Sequence, residues 1–417
     1  MWLHAAVVVA LILDTLVETA ADLLNVRAFR APLPATLLAW YPADAHARAE
    51  SYARAHGILR AVERLTGLML VLAAWYWRWF GRLDTTVRTL DLNATFTGVV
   101  YLGAVLLVLQ VISLPFAWYE TFILENRYGF NRTSGATFVA DLFKQLGVAI
   151  VIGVPALAGL MAAFAYAGEA AWLWCLGVSW LVVLITQVAA PSWVLPLFYI
   201  FRPLPDERVA REIRLWAERA GASLDDVHVV DGSRRSAKAN AFLTGMGRHK
   251  RIAVFDTLLE SHPVEEVVAV VLHEIGHHKL GHIWKGTVVT LVQIAAICWL
   301  LGQAVSSRVL FDVFGVAVPS AHVGIVLFLL VCAPVSLILS AAVNAYARRW
   351  EFEADAFARR QMGTGEPLAT SLARLSAAAL EHPTPHPLFV WLHREHPPIV
   401  KRMTALMGRQ AGDVFAE

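Results

Sequence analysis

The five residues His273-Glu274-Ile275-Gly276-His277 carry the densest chemical information in the chain. An α-helix turns once in about 3.6 residues, so histidines at i and i+4 share one face. Both imidazoles can then reach one zinc ion. Glu274 is offset from His273 by about 100°, where its carboxylate can take a proton from water activated by that ion. The preceding residues supply the helix. Pro263-Val264-Glu265-Glu266 opens on a proline and first-turn acids, both helix-start signals, and an apolar run leads to Leu272. Gly281 and Gly286 lie near the expected end. His278 and His282 fall about 140° and 180° round from His273. Neither can share the ion while the helix continues, so both are expected to support the ligands or to face solvent.

A catalytic zinc site needs a third protein ligand and an open position. The three cysteines, Cys175, Cys298 and Cys332, lie in apolar runs and suggest neither a disulfide framework nor a cysteine–zinc site. The metal must therefore be held by histidine and carboxylate. Trp350-Glu351-Phe352-Glu353-Ala354-Asp355 offers candidates. Glu351 and Asp355 share a helix face, whereas Glu353 points about 160° away from Glu351 and is expected to leave the metal alone. One of Glu351 and Asp355 can bind zinc while the other hydrogen-bonds a ligand histidine and sets its tautomer. The competing reading is a solvated acidic segment beside Arg348 and Arg349.

The elements that must position these residues are largely membrane helices. Of 417 residues, 58% are hydrophobic and only 16% charged, with a mean hydropathy of +0.56. Ordinary globular chains carry about 25% charge. Seven apolar stretches approach the about 20 residues needed to span a bilayer: 3–24, 62–80, 98–119, 147–168, 171–198, 286–305 and 322–346. Pro191 and Pro196 are expected to kink or unwind the end of the fifth. The first is not expected to be a cleaved signal peptide, because no Lys or Arg precedes it and Asp14, Glu18 and Asp22 interrupt it. Those three acids recur on one face, which should meet a cavity or a partner and not lipid.

This gives a polytopic, mainly α protein with a small α+β metalloprotease domain. Segment 1–198 holds helices one to five and 199–285 a soluble catalytic segment with the HExxH helix. Segment 286–346 holds helices six and seven, and 347–417 the third ligand. Arg27, Arg30, Arg48, Arg54, Arg60, Arg127, Arg132 and Lys144 put the first and third loops in the cytoplasm, with both catalytic segments on that side. A net charge of +2 gives no case for nucleic-acid binding. The sequons at Asn93 and Asn131 are assigned no function. Residues 227–230, 240–244 and 251–255 read as short strands, with Gly245 and Gly247 turning between the last two.

HExxH with a later E-x-x-x-D helix resembles the gluzincin arrangement, and the fuller resemblance is to the type I integral-membrane CAAX prenyl endopeptidases. It rests on Glu125-Asn126-Arg127-Tyr128-Gly129-Phe130-Asn131, the Pro203-Leu204-Pro205 linker, Asp231-Gly232-Ser233-Arg234-Arg235-Ser236 and Asn240-Ala241-Phe242. It continues through Arg251-Ile252-Ala253-Val254-Phe255-Asp256, the HExxH motif, Glu351 to Asp355, and His396-Pro397-Pro398. The resemblance implies seven helices around a water-filled chamber and one Zn2+ per chain held by His273, His277 and Glu351. It places Asp355 behind the ligands, Asn240 on the substrate, and His396 on the scissile carbonyl or its oxyanion. Glu274 is then the general base. Family substrates are proteins ending in a prenylated C-a-a-X sequence. Short loops and a composition rich in Ala, Val and Arg suggest a bacterial inner membrane, where other membrane-associated peptides are also candidate substrates. The runner-up is an HtpX-like quality-control protease acting on misfolded membrane proteins. A site-2-type intramembrane protease would set HExxH inside a span and add an LDG motif. A metal carrier would place its ligands along a path through the spans. Neither pattern is present.

Overall fold

The computed structural model describes residues 2–222, 226–244 and 251–408. Its first half is helical: α1 (Trp2–Ala28), α2 (Ala43–Tyr76), α3 (Trp79–Arg88), α4 (Ala94–Tyr119), α5 (Gly135–Val148), α6 (Val154–Tyr166), α7 (Ala171–Ala189) and α8 (Leu195–Phe198). Next come β1 (Phe201–Pro203), α9 (Glu207–Arg219), β2 (Asp226–Val230), β3 (Ala241–Thr244), β4 (Arg251–Phe255), α10 (Asp256–Ser261), α11 (Val264–Lys279) and α12 (His282–Ser306). The chain ends with α13 (Arg308–Val313), α14 (Ala321–Met362), α15 (Glu366–Ala378), α16 (Pro387–His393) and α17 (Ile399–Leu406).

Among the described residues, five helical stretches are long and apolar enough to cross a membrane: Ala94–Glu125, Gly135–Tyr166, Gly168–Gln187, His282–Ser306 and Ala321–Met362. Their side chains turn outward, as an apolar solvent requires. Leu106, Leu107, Leu109 and Val111 on α4 are each more than half exposed. The other two expected stretches fall in α1 and α2, which are more polar for a visible reason. Asp22, 3% exposed, lies 2.5 Å from Arg60 and 2.6 Å from Arg64, and Arg64 also meets Glu18 at 2.7 Å. Glu18 and Asp22 thus face the arginines of the neighbouring helix, which spares lipid an unpaired charge. The second stretch breaks at Arg78, whose φ of 54° ends α2 and starts α3. The fifth stays helical past its prolines, through a π-helical turn at Ala190–Val194.

The four strands form one sheet in the order β1-β2-β4-β3, with β2 and β4 parallel and the outer pairs antiparallel. The expected Pro203-Leu204-Pro205 linker overlaps β1 at Pro203. β1 is an edge strand of three residues, a position that tolerates Pro203. The expected turn at Gly245 and Gly247 lies outside the described residues. Ile252 and Val254 of the sheet pack with Ile213 of α9 and Val267, Val268, Leu272 and Ile275 of α11 into one core. This core fixes the α11 axis beneath the sheet.

α14 is one helix of 42 residues, so it runs from a membrane-length apolar segment directly into Glu351 and Asp355. The boundary drawn at 346/347 therefore falls inside a continuous helix, as the one at 285/286 falls inside α12. Apolar composition ends before the helical hydrogen bonding does. Gly276 lets α11 and α14 approach. A Cβ there would meet Phe357 Cδ1 at 3.1 Å and the Ala354 Cα at 3.2 Å. Gly276→Val is expected to push the two helices apart and lower the metal content of the purified protein, measured per chain. Wild-type metal content would show that the helices absorb the added bulk.

Candidate active site

α11 starts after Pro263, carries acids in its first turn, and ends at Lys279 with His277 in its last turn. His273, 6% exposed, and His277 project from one face, their Nε2 atoms 3.1 Å apart. α14 brings Glu351 opposite them, with Oε1 3.1 Å from His277 Nε2 and Oε2 3.6 Å from His273 Nε2. Ligand atoms of His273, His277 and Glu351 all lie within 4.8 Å of one another. A tetrahedron with vertices about 2.0–2.1 Å from its centre has an edge of about 3.3 Å, so the convergence suits a small ion. The donor set agrees: two imidazoles and one carboxylate, with Glu351 Oε2 buried and lacking an aligned hydrogen bond.

Asp355, the other acid on that face, sits behind the histidines. Its Oδ1 lies 2.9 Å from His273 Nδ1, in contact although not aligned as a hydrogen bond. Burial disfavours the charged form of His273, but Asp355 outweighs it and raises the imidazole above its ordinary value. Arg402 of α17 donates to Asp355 through Nε at 2.8 Å and Nη2 at 2.6 Å, and its Nη1 lies 3.1 Å from Glu351 Oε2. Sequence reasoning missed Arg402. Its only signal is an arginine five residues after Pro397, on a short helix where charge is ordinary. Burial works against its charge, but Asp355 and Glu351 hold the guanidinium protonated.

One pocket collects the remaining candidates. Asn240, His273, Glu274, Glu351, His396 and Arg402 are among its lining residues. Burial pushes the Glu274 carboxyl above its usual range, partly opposed by His273 and His277. His396 is exposed, and its Nδ1 lies 2.8 Å from Glu351 Oε2, a contact that raises its pKa. Asn240 precedes β3 and is held by its own backbone: Oδ1 accepts from Ala241 N at 2.8 Å, and its carbonyl accepts from Phe255 N. Among the described residues β3 pairs only with β4, so one edge carries free backbone groups beside the pocket. His282, expected to support a ligand or face solvent, is 4% exposed with Nδ1 3.1 Å from His277 Nδ1. The helix does break before it, at Gly281 with a φ of 70°. His382, His386 and His393 stay off the pocket lining, and the His382 Nε2 is 2.8 Å from the Asn25 carbonyl.

Membrane-length helices, a buried HExxH face and a facing glutamate define an integral-membrane metallopeptidase. Comparison with known proteins agrees. Residues 22–199 match the family model described as CAAX prenyl protease N-terminal, five membrane helices, and residues 203–410 match peptidase family M48. The CAAX prenyl protease 1 homolog of Oryza sativa is 32% identical over 416 residues, covering 96% of each chain. That of Homo sapiens is 32% identical over 336 residues, covering 70% of each. The crystal structure of S. mikatae Ste24p matches the fold with a TM-score of 0.91 at 24% identity, over 97% of this chain and 98% of that one. The chain belongs to the CAAX prenyl protease 1 family of M48 peptidases, and is a multi-pass membrane metalloendopeptidase.

Proposed function

We propose that this chain is a zinc endopeptidase that cuts near the C-terminus of prenylated CAAX-type or other membrane-associated peptides, inside a chamber formed by seven helices. The carrying observation is the convergence of His273, His277 and Glu351 at a pocket lined also by Glu274, Asn240 and His396. His273, His277 and Glu351 would hold one Zn2+ per chain. When bound, zinc supplies Lewis acidity, which polarises the scissile carbonyl and acidifies water. Glu274 takes the proton of the attacking water and passes it to the leaving amine. Asn240 orients the peptide along the free edge of β3, where an extended chain adds by backbone pairing. His396 donates to the oxyanion that develops on the carbonyl. Asp355 holds His273 in the tautomer that leaves Nε2 free for the ion.

The loop charges support catalytic segments that face the cytoplasm, and the composition supports a bacterial inner membrane. The substrate class follows the relatives' names, which are those of CAAX prenyl proteases. Purified protein in detergent with zinc is expected to cleave a farnesylated C-a-a-X peptide, and to cleave the unprenylated peptide more slowly. The products are read by mass spectrometry. Failure on the farnesylated peptide, with turnover of unfolded membrane proteins, would replace this reading with the HtpX-like one.

A further inference from the structure

We infer that His282 and Glu353 form a relay that fixes the orientation and tautomer of His277, and so set the affinity of the site for its metal. This rests on the proposed role of His277 as a ligand. Each of the two histidines of the motif has a second nitrogen that needs a partner. For His273 the partner is the carboxylate Asp355. For His277 it is another imidazole, His282, with the two Nδ1 atoms 3.1 Å apart. His282 in turn reaches Glu353 Oε2 through Nε2, also at 3.1 Å. Glu353 is fixed on its other oxygen by Arg349 Nε at 3.1 Å.

The polarity of this chain is determined. If Nε2 of His277 is the ligand atom, its Nδ1 carries the hydrogen and donates. Nδ1 of His282 must then accept, so His282 carries its hydrogen on Nε2 and donates to Glu353. Every proton in the series has one place. The packing holds the middle member. His282 is 4% exposed, and the Trp350 ring stacks on it at 5.6 Å and 13°. Gly281, at a φ of 70°, makes the turn that swings His282 back under α11. Glu353 points away from the ligand face of α14 and yet acts on the site, because α12 carries the contact round. His282 is also the first residue of α12, so the relay ties a ligand to the start of a membrane-length helix.

Zinc affinity of the purified full chain in detergent, by competition with a fluorescent chelator, tests this. His282→Phe keeps the ring against Trp350 but removes the acceptor, and is expected to weaken zinc binding about 10–100-fold. His282→Asn places Oδ1 where Nδ1 was, and should bind more tightly than His282→Phe. Glu353→Ala should weaken binding by a smaller factor. The double variant His282→Phe with Glu353→Ala should bind no worse than His282→Phe alone, since the two act in series. Wild-type affinity in His282→Phe, an Asn variant as weak as Phe, or additive losses in the double variant would each overturn the relay. His277→Ala separates the two readings. If it keeps zinc, the ligand reading fails. If it loses zinc while His282→Phe does not, only the relay fails.

Discussion

Glu274→Gln is expected to keep its metal and its fold and to lose turnover by at least about 100-fold, the range for removing general-base catalysis. The glutamine fills the same space in the pocket and cannot accept the proton. Glu274 is set about 100° round the helix from His273, so it is not among the three converging ligand atoms. It lines the same pocket, half-buried, and burial raises its carboxyl. A carboxylate of raised basicity is the better proton acceptor near neutral pH. His396→Ala is the companion: it should also hold metal and lose about 10²–10³ in rate, the usual cost of one oxyanion donor. The measurement is metal content and single-turnover rate for both variants beside wild type. A near-wild-type rate for Glu274→Gln would sink the mechanism, and metal loss in His396→Ala would make its contact with Glu351 structural.

Arg402→Met is expected to be the most destabilising single change at the site. Asp355 is 1% exposed, and Arg402 and Glu351 are 6% exposed each, so all three charges are withdrawn from water. Removing one partner of a buried pair leaves an uncompensated charge, at about 3–5 kcal/mol. Here the remaining partners are two carboxylates, and only Glu351 can be relieved by a metal. Excess zinc should therefore recover part of the loss. Arg402→Lys should recover little, because a compact ammonium lacks the planar fork that pairs with both Asp355 oxygens while a third nitrogen reaches Glu351. Arg402→Met with Asp355→Leu should be more stable than Arg402→Met alone, since it removes the stranded charge. Thermal unfolding in detergent, with and without zinc, reads all three variants beside wild type. Wild-type unfolding of Arg402→Met would show that water reaches Asp355.

The sequence by itself determined whatever depends on local period. Two histidines at i and i+4, an acid between them, and Glu351 with Asp355 one turn apart are statements about one helix each. The long apolar stretches, and β2, β3 and β4 as alternating or β-branched runs between turn residues, are likewise legible within one segment each. Whatever depends on two elements meeting was decided only by the tertiary structure. Arg402 is an ordinary charge on a short helix until α17 packs against α14 and buries it against Asp355 and Glu351. Glu353 faces away from Glu351 on its own helix and gains its link to His277 through His282 on α12. Glu18 and Asp22 of α1 needed the arginines of α2 before they had partners. β1 has three residues, one of them proline, and becomes a strand only because β2 offers it an edge. In each case the missing information was a pairing across the chain, and burial gives such pairings their strength by removing the water that would otherwise compete.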